Sequence, residues 1–436
     1  MKTDILIVGS GCAGLYCALQ LPKDKEILII TKDAIEHSDS FLAQGGICML
    51  KSEDDYENYF EDTMKAGHYE NNKEAVDIMI RSSRDIVDDL LSYNVDFHCE
   101  DDGSLSFTRE GGHSDKRILF HKDITGKEIT GKLLEQAKAR PNIKIVEYCA
   151  MVDIICEDNT CYGVVARDEN GELFTISANY TVFACGGIGG LYKYSTNYKQ
   201  ITGDGIAIAL NHNIELENIN YVQIHPTTLY TEKQKERCFL ISESVRGEGA
   251  ILLDKNHQRF TDELIPRDKL TAKIHEQMAK DNTKHVWLSM ENIPDEEIRE
   301  HFPNIVEHCK KQGYDVFNEY IPVVPAQHYF MGGIKVTMTS HTSMNQLYAI
   351  GETACNGVHG KNRLASNSLL EGLVFAKRAA KEMTENFNQT KREDTLAENT
   401  DLSKYADSEK LAQSYKELVL NEIERLEKAS CTIQLP

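Results

Sequence analysis

Short apolar runs, separated by glycine-bearing turns and amphipathic stretches, form the dominant pattern of the first half of the chain. An apolar run over residues 4–8 ends in glycines, a helical stretch follows over residues 15–21, and a second apolar run covers residues 26–31. The order strand, glycine-rich turn, helix, strand predicts a βαβ unit that opens a parallel sheet. The same reasoning predicts further strands over residues 143–147, 151–156, 160–166, 173–178 and 181–187. The last of these returns to the sheet beside the first strand, which makes the fold class α/β.

Amphipathic periods and polar stretches organise the remainder of the chain. Apolar residues recurring every three or four positions predict helices over residues 56–91, 125–140, 206–210 and 366–382. Residues 386–402 are polar and have no apolar period, so they are predicted to be a linker. A terminal helix is predicted from the apolar stripe Leu411, Tyr415, Val419, Ile423 and Leu426.

Turn residues become denser after about Asn218, and the strand pattern of the sheet resumes only near residues 347–352. This change predicts a domain inserted into the first one. The predicted division is a discontinuous core domain over residues 1–218 and 330–385, a capping domain over residues 219–329, and a linker with a C-terminal helix over residues 386–436.

The glycines after the first strand have the spacing G-x-G-x-x-G. Gly9 permits a tight turn, Gly11 lets the backbone approach a pyrophosphate, and Gly14 lets the helix pack closely on the strand. The helix N-terminus then offers N–H groups to phosphate. A dinucleotide site is favoured over a plain glycine-rich turn. The second strand, however, ends in Thr31 and Lys32 where an acidic residue would hold the ribose of NAD, which counts against a simple NAD dehydrogenase.

Composition narrows the functional classes. The 436 residues carry a net charge of -21, with 41% hydrophobic and 27% charged residues, which indicates a globular protein and argues against nucleic acid as a partner. An anionic substrate would need a local cluster of Arg and His. No apolar run has the length of a membrane span, and the chain begins with a strand rather than a signal region, so we expect a cytoplasmic protein. The 12 cysteines include no C-x-x-C pair, which favours buried thiols in a reducing cytosol over metal ligands or disulfides.

Seven stretches, in this order along the chain, resemble the succinate dehydrogenase and fumarate reductase flavoprotein family. They are residues 9–14, 43–46, 225–227, 246–249, 328–333, 351–352 and 360–370. The resemblance covers about residues 1–382. It implies a Rossmann-like FAD-binding domain, into which an α+β capping domain is inserted, with a short C-terminal helix behind it. Closure of the cap would bring Arg267 and His225 over the flavin and exclude water.

Two features favour the aspartate-oxidising branch of this family. Covalently flavinylated members carry a His five residues before the Gln of the Ala-Gln-Gly-Gly stretch; here that position is Asp39, so FAD should be non-covalent, although His37 lies two residues away. Glu110 stands where dicarboxylate oxidoreductases have an apolar residue, and in this branch it faces the ammonium of the substrate. Residues 365–368 also match this branch.

The resemblance implies oxidation of L-aspartate to iminoaspartate by hydride transfer to flavin N5, the first step of quinolinate and NAD biosynthesis. Oxygen or fumarate would reoxidise the flavin, and quinolinate synthase would receive the product. A soluble fumarate reductase or succinate oxidase is the alternative, and a non-catalytic FAD-binding protein is a third possibility.

The resemblance also assigns residues to roles. The implied catalytic residues are Arg267, Glu110, His225, His328 and Arg363, and the implied neutral substrate donors are Gln223 and Ser242. Without the resemblance, a surface Arg near a helix cap and satisfied core histidines would be favoured for Arg267, His225 and His328. The residues implied to hold FAD are Ser10, Gly11, Cys12, Ala13, Gly14, Lys32, Ser40, Gln44, Gly45, Gly46, Ala150, Met151, Asp204, Glu352, Ser368 and Leu369.

The chain departs from the family after residue 385. Typical aspartate oxidases continue into a C-terminal helical bundle, whereas residues 386–436 suffice only for a linker and one helix. Partner contacts or cap restraint supplied by such a bundle are therefore in doubt, but no predicted site residue lies there.

Overall fold

The computed structural model describes residues 1–232 and 236–433, with the backbone alone for residues 429–433. The strands are β1 (Lys2–Val8), β2 (Ile27–Ile30), β3 (Ile47–Cys48), β4 (Ile118–Leu119), β5 (Ile143–Val146), β6 (Ala150–Glu157), β7 (Thr160–Arg167), β8 (Leu173–Phe183), β9 (Leu216–Glu217), β10 (Val222–Leu229), β11 (Ile251–Leu253), β12 (Val286–Ser289), β13 (Ile321–Phe330), β14 (Gly333–Lys335), β15 (Leu347–Ala349) and β16 (Ala354–Cys355). The α-helices are α1 (Cys12–Gln20), α2 (Asp39–Leu42), α3 (Tyr56–Ala66), α4 (Lys73–Ser92), α5 (Thr125–Ala139), α6 (Asp204–Asn211), α7 (Glu243–Gly247), α8 (Arg267–Asp281), α9 (Asp295–His301), α10 (Pro303–Lys311), α11 (Asn367–Asn386), α12 (Asp394–Glu398) and α13 (Ser408–Ile433).

The main sheet has the strand order β5-β2-β1-β8-β7-β6, with β15 also paired to β8. β1 lies parallel to β2 and β8, and β15 lies parallel to β8, whereas β6, β7 and β8 pair antiparallel. Every residue of β2 is buried, as expected for a parallel strand covered on both faces. The predicted α/β class is confirmed, and β8 joins β1 as the sequence indicated.

The turn between β1 and α1 depends on two glycines. Gly9 has φ +120°, and a Cβ there would lie 2.0 Å from the carbonyl oxygen of Ala184. A Cβ on Gly14 would lie 2.3 Å from the carbonyl oxygen of Gly9, so α1 approaches the turn as closely as glycine allows. This packing fixes the position of the α1 N-terminus.

An antiparallel sheet of order β10-β13-β12-β11 forms the centre of the inserted region. Its hydrophobic core is separate from those of the main sheet and includes Leu252, Ile274, Leu288 and Ile305. β10 and β13 pair with one another, so the chain enters and leaves this region along neighbouring strands. Residues 233–235 of the predicted capping domain lie outside the described residues.

Two local predictions in the first half of the chain are wrong. Residues 56–91 form two helices rather than one. Gly67 is the C-cap of α3, and the next two residues, His68 and Tyr69, have positive φ angles that end the helix. Asn72 then begins α4, where its side chain accepts the N–H groups of Glu74 and Ala75. The strands predicted over residues 173–178 and 181–187 are one strand, β8, which ends at Phe183. The one-turn helix α2 is too short to show an apolar period.

The C-terminal segment packs against the main sheet and α6. The predicted linker contains α12, with Ala397 buried, because a five-residue helix is too short to show an apolar period. Tyr415, Val419 and Ile423 of α13 are buried in the core that includes α6. Residues 434–436 of the predicted C-terminal segment lie outside the described residues. Within the described ranges, no helix is long and apolar enough to cross a membrane.

Candidate flavin and dicarboxylate site

An elongated cavity runs from the N-terminus of α1 to the inner face of the inserted region. We call the part near α1 and Lys32 the nucleotide end and the part near Arg267 and Arg363 the substrate end. The predicted cofactor residues that line the cavity are Ser10, Gly11, Cys12, Ala13, Gly14, Lys32, Ser40, Gln44, Gly45, Gly46, Met151, Asp204, Glu352, Ser368 and Leu369. Ala150 is not among the lining residues, whereas its neighbours Cys149 and Met151 are.

The N-terminus of α1 is open toward the nucleotide end. Gly11 occupies the N-cap without a side-chain hydrogen bond, and the first turn carries no acidic residue. A Cβ on Gly11 would lie 3.2 Å from Ser40 Oγ, so a side chain there would narrow the cavity. The Cys12 N–H donates to Ser40 Oγ at 3.1 Å. The next N–H groups of the first turn and the positive end of the helix dipole suit a pyrophosphate.

A lysine and an aspartate close the far side of the nucleotide end. Lys32 Nζ donates to Asp204 Oδ2 at 2.7 Å and to Thr202 Oγ1 at 2.9 Å. Asp204 is the first residue of α6. The position that would carry an acidic residue in an NAD site therefore carries Lys32, which pairs with a carboxylate far away in the sequence.

Three buried polar atoms around α2 have no hydrogen-bond partner within the described chain: Ser38 Oγ, Asp39 Oδ2 and Gln44 Oε1. All three residues line the cavity. Buried polar atoms are normally paired, so these atoms are suited to the hydroxyl and ring polar groups of a flavin. Together with the open α1 N-terminus, they show that the residues present fit FAD.

Burial raises the pKa values of two carboxyls that line the cavity. Burial raises the pKa of Asp39 to about 7, and burial with the nearby charge of Asp39 raises the pKa of Glu352 to about 8. Glu352 Oε1 accepts the backbone N–H of Phe330 at 2.9 Å. A protonated carboxyl can donate a hydrogen bond, which widens the set of flavin hydroxyl contacts that Glu352 can make.

At the substrate end, two buried arginines line the cavity together with the carboxylate of Glu243. Arg267 begins α8 directly after Pro266, and its Nε donates to Glu243 Oε2 at 2.5 Å. Arg363 Nη1 donates to Ser368 Oγ at 2.8 Å, and its guanidinium lies over the ring of Tyr329. Burial and the charge of Arg267 lower the pKa of Arg363 to about 10, so it remains a cation at neutral pH.

The side chain of Gln223 forms hydrogen bonds with three neighbouring residues of the protein. Its amide donates to Asn362 Oδ1 at 2.9 Å and to the carbonyl of Arg363 at 2.8 Å, while its oxygen accepts Arg267 Nη1 at 2.8 Å. Arg363 Nε also donates to this oxygen, at 3.3 Å. Both amide hydrogens and the oxygen are thus engaged, and Gln223 does not line the cavity. Gln223 thus holds the two arginines at a fixed spacing, and a direct hydrogen bond from Gln223 to the substrate stays a prediction.

Glu110 lies at the boundary between the cofactor and substrate parts of the cavity. Its carboxylate accepts the hydroxyls of Ser244 at 2.8 Å and Ser366 at 2.6 Å. A Cβ on Gly45 would lie 2.8 Å from Glu110 Oε1, which explains why only glycine fits beside it. Burial, followed by the charge of Glu243, raises the pKa of Glu110. A cation beside Glu110 would offset both the desolvation of its carboxylate and the repulsion from Glu243.

Two histidines face each other with ring centroids 5.1 Å apart. His225 Nε2 lies 3.0 Å from the carbonyl of Ile241, and its Nδ1 is buried without a partner among the described residues. His328 Nδ1 lies 2.8 Å from Thr196 Oγ1. Burial and Arg267 hold the pKa of both imidazoles well below the ordinary value, so both are neutral at pH 7. Ser242 also lines this end, and its hydroxyl accepts the N–H of Ser244.

Sequence reasoning missed Glu243, Arg246 and Arg237. Burial acts to raise the pKa of Glu243, but Arg267 and Arg246 outweigh it and the pKa is lowered. Arg246 Nη2 lies 3.9 Å from Glu243 Oε2, which gives a buried line of charges Arg246, Glu243, Arg267. Arg237 lines the cavity near Asp39. The spacing of Glu243 and Arg246 on one short helix was the available signal, but i,i+3 charge pairs are common on surface helices.

Comparisons with known proteins support an FAD site in this cavity. A family model described as an FAD binding domain matches residues 4–369. The L-aspartate oxidase of Clostridium perfringens is 48% identical over 92% of this chain and 91% of that protein. The L-aspartate oxidase of Clostridium acetobutylicum is 45% identical over 98% of this chain and 97% of that protein. Among solved structures, E. coli quinol fumarate reductase is similar with a TM-score of 0.85 at 30% identity, covering 96% of this chain and 74% of that chain.

Proposed function

The chain belongs to the L-aspartate oxidase family and contains its FAD binding domain, and from this we propose that it is an FAD-dependent oxidase of L-aspartate. The product is iminoaspartate, and the reaction is the first step of quinolinate and NAD biosynthesis. The observation that carries the proposal is the buried carboxyl of Glu110 at the substrate end, which accepts only serine hydroxyls among the described contacts, whereas Glu243 in the same cavity is paired with Arg267.

Charge matching supports this substrate. L-Aspartate carries two carboxylates and one ammonium, and each needs a partner of opposite charge when water is excluded. Arg267 and Arg363 offer buried cations, while Glu110 offers an anion on the same cavity wall. Succinate and fumarate have no group that would compensate the cost of ionising Glu110.

The substrate carboxylates are assigned to Arg363, Arg267 and the two histidines. Arg363 is held by Ser368 and Gln223, and Arg267 by Glu243 and Gln223, so neither guanidinium must be ordered when the substrate arrives. A preorganised cation binds a carboxylate without an entropic cost at that moment. The Nδ1 of His225 has no hydrogen-bond partner among the described residues, which leaves it available to the substrate.

Glu110 is assigned the substrate ammonium. The amine must lose a proton before the Cα–H bond can be oxidised, and a carboxylate with a raised pKa is better suited to accept it than an ordinary one. The hydroxyls of Ser244 and Ser366 orient the accepting oxygens. When bound, FAD supplies the hydride acceptor. The residues proposed to hold FAD are those that line the nucleotide end, together with Ser38, Asp39, Gln44 and Glu352.

A soluble fumarate reductase or succinate oxidase is the second candidate. The line Arg246, Glu243, Arg267 favours it, because such a line can deliver a proton to a substrate carbon beneath Arg267. Similarity to quinol fumarate reductase at 30% identity points in the same direction.

Anaerobic stopped-flow mixing separates the two candidates. FAD-loaded protein is mixed with L-aspartate or with succinate, which has the same carbon skeleton without the ammonium, and loss of the oxidised flavin absorbance is followed. The proposal predicts fast reduction by L-aspartate and slow or no reduction by succinate. Faster reduction by succinate would transfer the function to the second candidate.

The cellular setting follows from the proposed reaction. We place the enzyme in the cytoplasm, with fumarate or oxygen as the electron acceptor and quinolinate synthase as the recipient of iminoaspartate. The cysteines of the described residues are all free, which is consistent with a reducing compartment. Mixing the aspartate-reduced enzyme with each acceptor in turn would identify the faster one.

A further inference from the structure

A cysteine, a histidine and an aspartate form a hydrogen-bonded line outside the cavity, where β6 meets the C-terminal end of α6. Cys156 Sγ lies 3.4 Å from His212 Nδ1, and His212 Nε2 lies 2.7 Å from Asp153 Oδ1. The other oxygen of Asp153 accepts the hydroxyl of Tyr405 at 2.6 Å. None of these residues lines the flavin and dicarboxylate cavity.

The pairing of β6 with β7 is irregular around this line. In a regular strand, residues three apart point to opposite faces of the sheet. The register shifts between Met151 and Asp153, where β6 has an extra residue, and again between Ile155 and Cys156, where β7 has an extra residue. The second shift lies between Asp153 and Cys156, which both reach the same imidazole, and irregular pairing of this kind commonly re-aims side chains.

The electrostatics make His212 a cation. The hydrogen bonds of Asp153 and then Cys156 raise the pKa of His212 to about 9. Burial opposes the ionisation of Asp153, but the hydrogen bonds of His212 and Tyr405 outweigh it and lower the pKa of Asp153. His212 is also the C-cap of α6, where a helix dipole favours positive charge. At neutral pH an imidazolium N–H therefore points at the Cys156 sulfur.

We propose that Cys156 is a reactive thiolate that hydrogen peroxide oxidises reversibly to a sulfenic acid. The thiolate sulfur attacks one peroxide oxygen, the S–O bond forms as the O–O bond breaks, and the leaving hydroxide takes the proton of His212 Nδ1 to become water. Sulfur loses two electrons, peroxide gains them, and His212 regains its proton from solvent. Two equivalents of a small thiol would return Cys156 to the thiol. This inference is independent of the proposed function.

The other cysteines of the described chain for which contacts or pKa shifts are resolved have no imidazolium partner. Cys48 Sγ lies 4.0 Å from His113 Nε2, but burial lowers the pKa of His113 to about 4, so that imidazole is neutral at pH 7. Burial raises the pKa of Cys17 to about 12 and that of Cys149 to about 11, so these thiols are inert. Cys99 is exposed, and its sulfur contacts a backbone carbonyl rather than a histidine. Cys156 is only half-buried and has an imidazolium partner. Cys99 is thus an internal control that is more accessible but lacks the partner.

The test is competitive oxidation within one protein. Full-length, FAD-loaded protein is exposed to hydrogen peroxide at pH 7 in the presence of dimedone, which traps sulfenic acids, and the peptides of Cys156 and Cys99 are quantified by mass spectrometry. The expected result is labelling of Cys156 at least about tenfold faster than Cys99, because an ordinary thiol is only a few per cent thiolate at this pH. Equal rates, or faster labelling of Cys99, would overturn the proposal.

Two variants and a pH profile test the role of the imidazolium. His212→Gln and Asp153→Asn should each slow Cys156 labelling by roughly tenfold and leave Cys99 unchanged, because both remove the cation beside the sulfur. His301→Gln removes a different histidine–carboxylate pair, His301–Glu248, and leaves this line intact, so it is the matched control and should leave the labelling rate of Cys156 unchanged. Unchanged labelling of Cys156 in both variants would refute the assignment.

The pH profile needs no variant and remains decisive if the variants do not fold. In the unaltered protein, the iodoacetamide alkylation rate of Cys156 should reach half its maximum at a clearly lower pH than that of Cys99. Asp153, Tyr405, Tyr415 and the cross-strand neighbour Cys161 are further ionisable groups around this line. Both tyrosines and Cys161 remain neutral at pH 7 because burial raises their pKa values. Coincident profiles for the two cysteines would show that the line is structural.

Discussion

The two ends of the cavity are built in different ways. At the nucleotide end the chain offers backbone N–H groups at the start of α1, and glycines leave room for them. At the substrate end the chain offers side chains, which come from five separate segments and are held in place by hydrogen bonds to one another. A phosphate site made of backbone depends on local shape, whereas the substrate end depends on the identity of each side chain.

This difference predicts opposite responses to substitution. Adding a methyl group should harm the nucleotide end, where space is the requirement, whereas removing a charge should harm the substrate end, where each buried charge depends on its partners.

Arg267→Gln should have the largest effect. It removes a buried cation that holds Glu243 at 2.5 Å and faces the cavity. We expect kcat/KM for L-aspartate to fall by roughly 10²–10⁴, the range typical for loss of a positioned proton-transfer or charge-stabilising group. FAD affinity, measured by fluorescence titration, should change little, because the nucleotide end keeps its backbone.

Arg259→Gln is the matched control for this substitution. Arg259 also pairs with a buried glutamate, Glu263, at 2.6 Å in the inserted region, but it is exposed and outside the cavity. Its kcat/KM should stay near the unaltered value. A similar loss of activity in both variants would mean that Arg267 acts through the stability of the inserted region.

Gly14→Ala should weaken the nucleotide end. The added Cβ would lie 2.3 Å from the carbonyl oxygen of Gly9, so α1 or the turn must move. Overpacking of this kind costs about 1–3 kcal/mol, which corresponds to a rise of roughly 5- to 150-fold in the Kd of FAD if the cost falls on the bound turn. Equilibrium titration of the FAD-free protein measures it.

Gly131→Ala serves as the control, because a Cβ there meets nothing within 4 Å and the residue lies inside α5. It should stabilise the protein slightly and leave FAD affinity unchanged. An unchanged Kd in Gly14→Ala would contradict the close approach of α1 to the turn.

The smallest effect concerns pH and the FAD-free protein. Burial raises the pKa of Glu371 to about 7, above the ordinary value near 4.5. The folded state thus holds a proton that the unfolded state has lost, so this contribution is present below about pH 4.5 and disappears as pH rises through 7. The Tm should fall by a few degrees between pH 5.5 and 8.5. Glu371→Gln should make this fall smaller, since Gln cannot ionise; an identical fall in both proteins would exclude Glu371 as its source.

How much could be predicted from the sequence differs between the two ends for a physical reason. The βαβ unit and its glycines were predicted because strand, turn and helix interact with their sequence neighbours. The hydrogen bonds of Gln223 were not predicted, because its partners Asn362 and Arg363 lie far along the chain. Glu243 was missed because its partner Arg267 comes from another helix. Only the resemblance to a family brought the substrate-end residues together before the structure did.

The choice of L-aspartate over a simple dicarboxylate rests on Glu110. The structure allows two roles for it: an anion for the substrate ammonium, or a support that ties Ser244 to Ser366 and so connects the inserted region to α11. Ser366→Ala removes one of these ties without changing the charge. It should affect aspartate oxidation and fumarate reduction equally.

The most direct measurement is kcat/KM of Glu110→Gln for L-aspartate oxidation and for fumarate reduction, with the Tm of the variant. Loss of a charge-assisted hydrogen bond costs roughly 1.5–3 kcal/mol, so aspartate oxidation should fall on the order of ten- to a hundredfold. Fumarate has no ammonium, and its reduction should be spared or improved. Equal losses on both substrates, accompanied by a lower Tm, would show that Glu110 is structural and would contradict the proposed preference for L-aspartate.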